Sequence, residues 1–137
     1  MAVNWLLDTN VCIAALNPRS MAVRGRFSDA VNRGDFLGIS AITVFELHYG
    51  AAASSRVADN TRRLSIFLAS LPELPLESED ARVAGIIRAE LRKSGTPIGP
   101  YDVLIAGQAL RRELVLVTAN VREFARVPGL RVENWAS

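Results

Sequence analysis

The chain has 137 residues, half of them apolar, with 22% charged residues and a formal net charge of +2. That length suits one domain, and the apolar share is enough to bury a sizeable core. The apolar stretches are short and broken by charge, the first residues show no basic region leading into a long apolar run, and Cys12 is the only cysteine; a membrane-spanning helix, a secretion signal, an internal disulfide and a cysteine-built zinc site are therefore not expected, and a reducing cytoplasm is the expected compartment.

Val3 to Leu7 reads as a short buried strand that stops at Asp8-Thr9-Asn10, residues with good helix-capping chemistry. Val11 to Leu16 reads as a short helix ended by Asn17-Pro18, and Met21 to Asn32 as a second helix closed by Gly34. Phe36 to Ser40 is the next strand, followed by helical pattern from Ala41 to about Ala53. Asp59 to Leu71 carries Leu64, Phe67, Leu68 and Leu71 at spacings of three and four, the period of one buried helix face. Pro72 to Leu76 is a brief extended piece, and its prolines point to a sheet edge. Ser78-Glu79-Asp80 caps a long helix to Lys93, and Gly95 to Pro100 is a loop. Tyr101 to Arg112 is helical, Leu114 to Thr118 is the clearest buried strand, Arg122 to Ala125 is a helical turn and Leu130 to Glu133 a last strand. Apolar strands alternating with helices predict an α/β fold, a three-layer α/β/α sandwich around a parallel sheet, as one domain over residues 1–137.

In such a sheet, ligands bind beyond the carboxyl ends of the strands. Asp8 ends the first strand, Glu46 lies within the helix after the second, and Asp102 lies in the first turn of the helix that precedes the strand at Leu114. Thr118, Asn120 and Glu123 follow that strand directly. Carboxylates brought to one crevice raise one another's pKa unless a cation joins them. Mg²⁺ or Mn²⁺ suits oxygen ligands, and an ion so held can orient a phosphodiester and acidify a bound water. Each acid also has a structural alternative: Asp8 and Asp102 can cap helices or favour their dipoles, and Glu46 can face solvent.

Four segments in register resemble the motifs of PIN-domain nucleases: Leu6-Leu7-Asp8-Thr9-Asn10, Ser40 to Leu47 with Glu46, Ile98 to Ala106 with Asp102, and Val117 to Phe124. The closing stretch Val127 to Trp135 is similar to the tail of VapC toxins of bacterial toxin–antitoxin pairs. The resemblance covers essentially the whole chain. It implies a Mg²⁺- or Mn²⁺-dependent endoribonuclease in which Asp8, Glu46 and Asp102 bind the metal. It also implies orienting roles for Thr9 and Thr118. Asn120 stands where the fullest pattern has Asp, and Glu123 matches the second acidic position of that motif, so a second metal site is left open. The implied partners are a VapB-type antitoxin that blocks the groove, a second copy in a homodimer, and RNA, commonly transfer RNA.

Fifteen of the sixteen basic residues are Arg, whose planar fork grips phosphate in two places, although genome base content gives the same bias. Arg19, Arg24, Arg26, Arg33, Arg122 and Arg126 are candidates for an RNA channel or for solvated faces. Cys12, Trp5 and Trp135 read as packing residues, and His48 as dispensable for catalysis. Two rivals remain: a non-catalytic RNA- or protein-binding module on the same fold, and a phosphatase using Asp8 as nucleophile, which wants a second Asp where Asn10 stands.

Overall fold

Alternation with period two in the central strands decides which side chains meet. The computed structural model describes residues 2–136. In it, β1 (Asn4–Leu7) sends Trp5 and Leu7 to one core and Leu6 to the other. β4 (Val115–Val117) repeats the pattern beside it, with Val115 and Val117 in the first core and Leu116 in the second. Both strands are buried on both faces, as expected where helices cover a parallel sheet on each side.

Helices α1 (Thr9–Leu16), α2 (Met21–Asn32), α3 (Ala41–Ala52) and α4 (Val57–Ala69) place Val11, Val23, Leu47 and Leu64 in the core of Trp5 and Leu7. Helices α5 (Ser78–Lys93), α6 (Pro100–Arg111) and α7 (Val121–Phe124) place Ile87, Ile105 and Phe124 in the opposite core. Between these layers lies one parallel sheet, order β3-β2-β1-β4-β5, completed by β2 (Phe36–Ser40), β3 (Glu73–Leu74) and β5 (Val132–Glu133). This is the three-layer α/β/α sandwich expected from the sequence. β3 is an edge strand, in keeping with its flanking prolines.

The differences lie at the ends of elements. The helix expected from Val11 opens at Thr9, because Asp8 is itself the cap and its carboxylate accepts from the Val11 amide at 2.9 Å. The helix expected over 59–71 runs from Val57 to Ala69. The strand expected over 114–118 narrows to Val115–Val117, and that over 130–133 to Val132–Glu133. α5 is capped by Glu77, one residue before the expected Ser78-Glu79-Asp80, and the Glu77 amide donates to Asp80 at 2.8 Å.

The chain lays down β1, β2 and β3 in one direction, then returns across the sheet to place β4 on the other side of β1. The order therefore reverses between β1 and β4, and the crevice beyond their carboxyl ends is the natural ligand site. Two buried carboxylates brace this frame. Asp35 accepts from the Trp5 indole at 2.9 Å, the Val3 amide at 3.0 Å and Arg33 at 2.9 Å. These donors, led by Trp5, bring its pKa down from 3.8 to about 2. Asp80, fully buried, accepts from Arg112 at 2.8 Å and Arg111 at 3.3 Å, tying the start of α5 to the end of α6. Burial acts to raise its pKa, but the Arg112 and Glu77 hydrogen bonds outweigh it and the carboxyl stays low.

α5 and α6 approach closely at Gly107, where an added Cβ would lie 2.7 Å from the Ala84 Cβ and 2.9 Å from its Cα. Backbone and a methyl group cannot yield as a flexible side-chain tip does. Gly107→Ala should therefore force the helices apart and cost about 1–3 kcal/mol, read as a lower urea midpoint with an unchanged slope. Gly85→Ala, where nothing lies within 4 Å, should leave the midpoint in place or raise it.

Candidate functional site

Asp8 is fixed from both sides. Its amide donates to the Val117 carbonyl at 3.0 Å, extending the β1–β4 ladder by one residue. Its backbone then turns into α1, leaving the carboxylate at the carboxyl edge of the sheet with 6% exposure. Burial raises its pKa, hydrogen bonds from the Thr118 side chain and the Val11 and Asn10 amides oppose the rise, and the Glu46 charge adds to it. The capping role considered from the sequence is thus real, and it occupies one carboxylate oxygen while the electrostatic role persists.

Glu46 sits on α3, whose start is capped by the Ser40 hydroxyl accepting from the Ile42 amide at 3.0 Å. Its carboxylate accepts from the Thr9 hydroxyl at 2.7 Å, which orients it toward α1. The buried Thr43 hydroxyl lies 3.3 Å from that of Thr9 and supports it from below. Thr43 was not singled out in the sequence; its position three residues before Glu46, one helical turn away, was the available signal.

Asp102 stands in the first turn of α6, behind Pro100 at the first helical position, which suits the fixed φ of proline. A Cβ on Gly99 would lie 3.2 Å from the Asp102 carboxylate, so the small residue leaves that oxygen room. Its pKa is pushed up to about 6, first by burial and then by the charges of Glu123, Glu46 and Asp8. These four acids come from four separate segments and act on one another through space. Among the described residues, no Arg or Lys pairs with Asp8, Glu46, Asp102 or Glu123. Nor do any three His, Cys, Asp or Glu side chains among the described residues lie close enough to grip one ion as they stand.

Glu123 is already engaged. One oxygen accepts from the Gly99 amide at 2.9 Å and the other from the Asn120 side-chain amide. It therefore fastens the loop before α6 to α7 while adding charge beside Asp102. The Asn120 amide donates to the Thr118 hydroxyl at 3.0 Å, and the Thr118 amide to the Glu133 carbonyl at 3.0 Å. Thr118 is fully buried within this chain of contacts.

The remaining candidates sort by their surroundings. Trp5 and Trp135 meet edge to face at 5.2 Å in the core, as packing residues do. Cys12 is fully buried and its thiol pKa is pushed well above the usual range, so it is inert. Of the arginines considered for an RNA channel, Arg33 pairs with Asp35 and Arg26 with Glu133, while Arg126 donates to the Pro97 carbonyl at 2.8 Å. Arg19, Arg24 and Arg122 are exposed. Beside Glu46, a groove of about 430 Å³ opens between α1, α3 and α4, walled by Ile13, Leu16, Leu47 and Leu64.

Comparison with known proteins agrees with this architecture. Residues 5–130 match the PIN domain. The chain is 43% identical over 133 residues to the tRNA(fMet)-specific endonuclease VapC of Salmonella typhimurium, covering 97% of this chain and 98% of that one. The DNA-bound VapBC structure from Salmonella typhimurium matches with a TM-score of 0.89 and 43% identity, over 97% of this chain and 98% of the other. VapBC2 from Rickettsia felis, bound to a promoter DNA fragment, matches with a TM-score of 0.89 and 34% identity, over 96% of this chain and 98% of the other. By domain match, by sequence identity over nearly its whole length and by fold, the chain belongs to the PIN-domain family and, within it, to the VapC ribonucleases.

Proposed function

We propose that the chain, as one nuclease domain over residues 1–137, is a metal-dependent endoribonuclease toxin that hydrolyses RNA and so inhibits translation. The observation that carries this reading is that Asp8, Glu46 and Asp102 come near enough for the Glu46 charge to raise the pKa of Asp8 and for both charges to raise that of Asp102, with no Arg or Lys among the described residues paired to any of them. A set of oxygen donors with excess negative charge and no Arg or Lys partner fits Mg²⁺ or Mn²⁺. Asp8, Glu46 and Asp102 would hold the ion. Bound there, it would neutralise charge on a phosphodiester and lower the pKa of a coordinated water.

The chain's own residues supply positioning. Thr9 aims the Glu46 carboxylate through its 2.7 Å hydrogen bond. Thr118 steadies Asp8, and its own hydroxyl is oriented by the Asn120 amide. Glu123 holds the Gly99 loop in place and so sets the position of Asp102. Asn120 directs its side-chain amide at Glu123, which leaves its carbonyl oxygen to accept from water or substrate.

Transfer RNA is the substrate we assign, because a relative 43% identical to this chain carries that specificity in its name. A VapB-type antitoxin is the partner we assign, since the similar solved structures are VapBC complexes. The apolar groove beside Glu46 could seat a segment of that partner next to the acids. We further propose a homodimer working in the cytoplasm, where its substrate resides. No helix among the described residues is long and apolar enough to cross a membrane.

Purified chain freed of any antitoxin should cleave transfer RNA only after Mg²⁺ or Mn²⁺ is added, and EDTA should stop it. Asp8→Asn and Asp102→Asn should each abolish cleavage, while Thr118→Val, which removes only an orienting hydroxyl, should cost about 10–100-fold. Full activity in either Asn variant would reassign the site.

Charge crowding makes a second expectation for metal-free protein. A carboxyl raised from 3.8 to about 6 in the fold binds protons more tightly there than in the unfolded chain. Its contribution to stability therefore falls as pH rises from about 4 through 6. Metal-free Asp102→Asn should accordingly melt above the parent at pH 7, with the difference shrinking at pH 4. In carbon-13 NMR titration of the metal-free parent, Glu123→Gln should lower the Asp102 midpoint, because Glu123 is the largest charge acting on it.

A further inference from the structure

We propose that the groove between the end of α5 and the loop leading into α6 is a phosphate-binding track that holds the RNA backbone alongside the acids. The inference rests on the ribonuclease reading and goes beyond it by naming cations on α5 that lie outside the sequence motifs. The groove measures about 900 Å³, with Arg88, Arg92 and Lys93 on the α5 side and Ile98, Pro100 and Val103 on the other. Arg88 and Arg92 are four residues apart and so share one helix face.

Among the described residues, six of the fifteen arginines pair with a carboxylate. Arg82 pairs with Glu79, Arg111 and Arg112 with Glu77 and Asp80, and Arg62 with Asp59. The three cations of the groove have no such partner among the described residues. Between Arg88 and Tyr101 the only acid is Glu90, and it does not line the groove. A concave surface carrying one sign of charge focuses its field on a polyanion.

Position makes the occupant specific. Pro100 and Val103 flank Asp102 in sequence, so the wall of the groove is the same stretch of α6 that presents an acid of the site. The loop that closes the groove is clamped by Arg126 on the Pro97 carbonyl and by Glu123 on the Gly99 amide. A phosphodiester chain whose scissile group sits at the acids would need to continue past a repulsive cluster, and neighbouring phosphates would find these cations next to it. Arg forks and a Lys point charge both suit phosphate.

The test compares the parent with Arg88→Gln/Arg92→Gln/Lys93→Gln and with a charge-matched control, Arg56→Gln/Arg62→Gln/Arg131→Gln. All six positions are exposed, and thermal melts should show the three proteins equally folded. Binding of fluorescein-labelled transfer RNA is followed by anisotropy in EDTA between 50 and 200 mM KCl, and cleavage of the same RNA is followed with Mg²⁺. The groove variant should bind roughly tenfold or more weakly at low salt, with a plot of log affinity against log salt shallower by about 2–3. Its KM for cleavage should rise in step, and the control should change little. An unchanged salt slope in the groove variant, or an equal loss in the control, overturns the track while leaving a cleaving parent as the ribonuclease proposed. Unaltered RNA binding together with lost affinity for a co-expressed antitoxin would assign the groove to an acidic protein partner and also overturn the proposal. A parent that neither binds nor cleaves the RNA removes the ribonuclease reading, and the track falls with it.

Discussion

Negative charge gathered without a protein counter-charge is the condition around which this molecule is built. Asp8, Glu46, Asp102 and Glu123 act on one another at the carboxyl edge of the sheet, and among the described residues no Arg or Lys answers them there. Elsewhere the chain handles buried acids differently. Asp35 has Trp5, Val3 and Arg33; Asp80 has Glu77, Arg111 and Arg112. Both of those carboxyls sit below the ordinary range, whereas Asp8 and Asp102 sit above it. The contrast separates acids that hold the fold from acids held in tension by it. Such tension costs stability, and it persists only where surrounding contacts over-determine the geometry.

Those contacts are few, and some join segments far apart in sequence. Asp8 continues the β1–β4 ladder and caps α1, Thr9 fixes Glu46, and Gly99 leaves room for Asp102. Asp8 is thus placed by Val11, three positions away, and by the strand it ends, Asp102 has its room from Gly99, three positions before it, and Glu46 is placed by Thr9 from the neighbouring helix. This explains how a small sheet can bring distant segments to one rim: reversal of strand order supplies the crevice, and helix starts supply the side chains.

Much of this was legible in the sequence because its signals are local. Continuous apolar runs marked β1 and β4, period-three-and-four spacing marked α4, and prolines marked the edge strand β3. Asp8 and Asp102 stood out because each follows a strand or opens a helix. What escaped depends on distance in space. Nothing near Glu123 in sequence announces that it would bind the Gly99 amide 24 residues earlier, and nothing near Thr43 announces its neighbour Thr9. Likewise Arg26 and Arg33 had the composition of phosphate contacts, yet Glu133 and Asp35, brought close by the fold, engage them. Ends of elements shifted by one or two residues because caps, not periodicity, terminate helices.

The last strand carries an implication for the order in which the molecule is assembled. The Thr118 amide donates to the Glu133 carbonyl, and Trp135 seals the core against Trp5. In synthesis from the N-terminus, Asp8, Glu46 and Asp102 are all made before these residues. A nascent chain halted short of Glu133 therefore holds every acid of the proposed centre but lacks the strand that anchors Thr118 beside Asp8. The seat of Thr118 beside Asp8 is therefore closed only when Glu133 has joined the sheet and Trp135 the core.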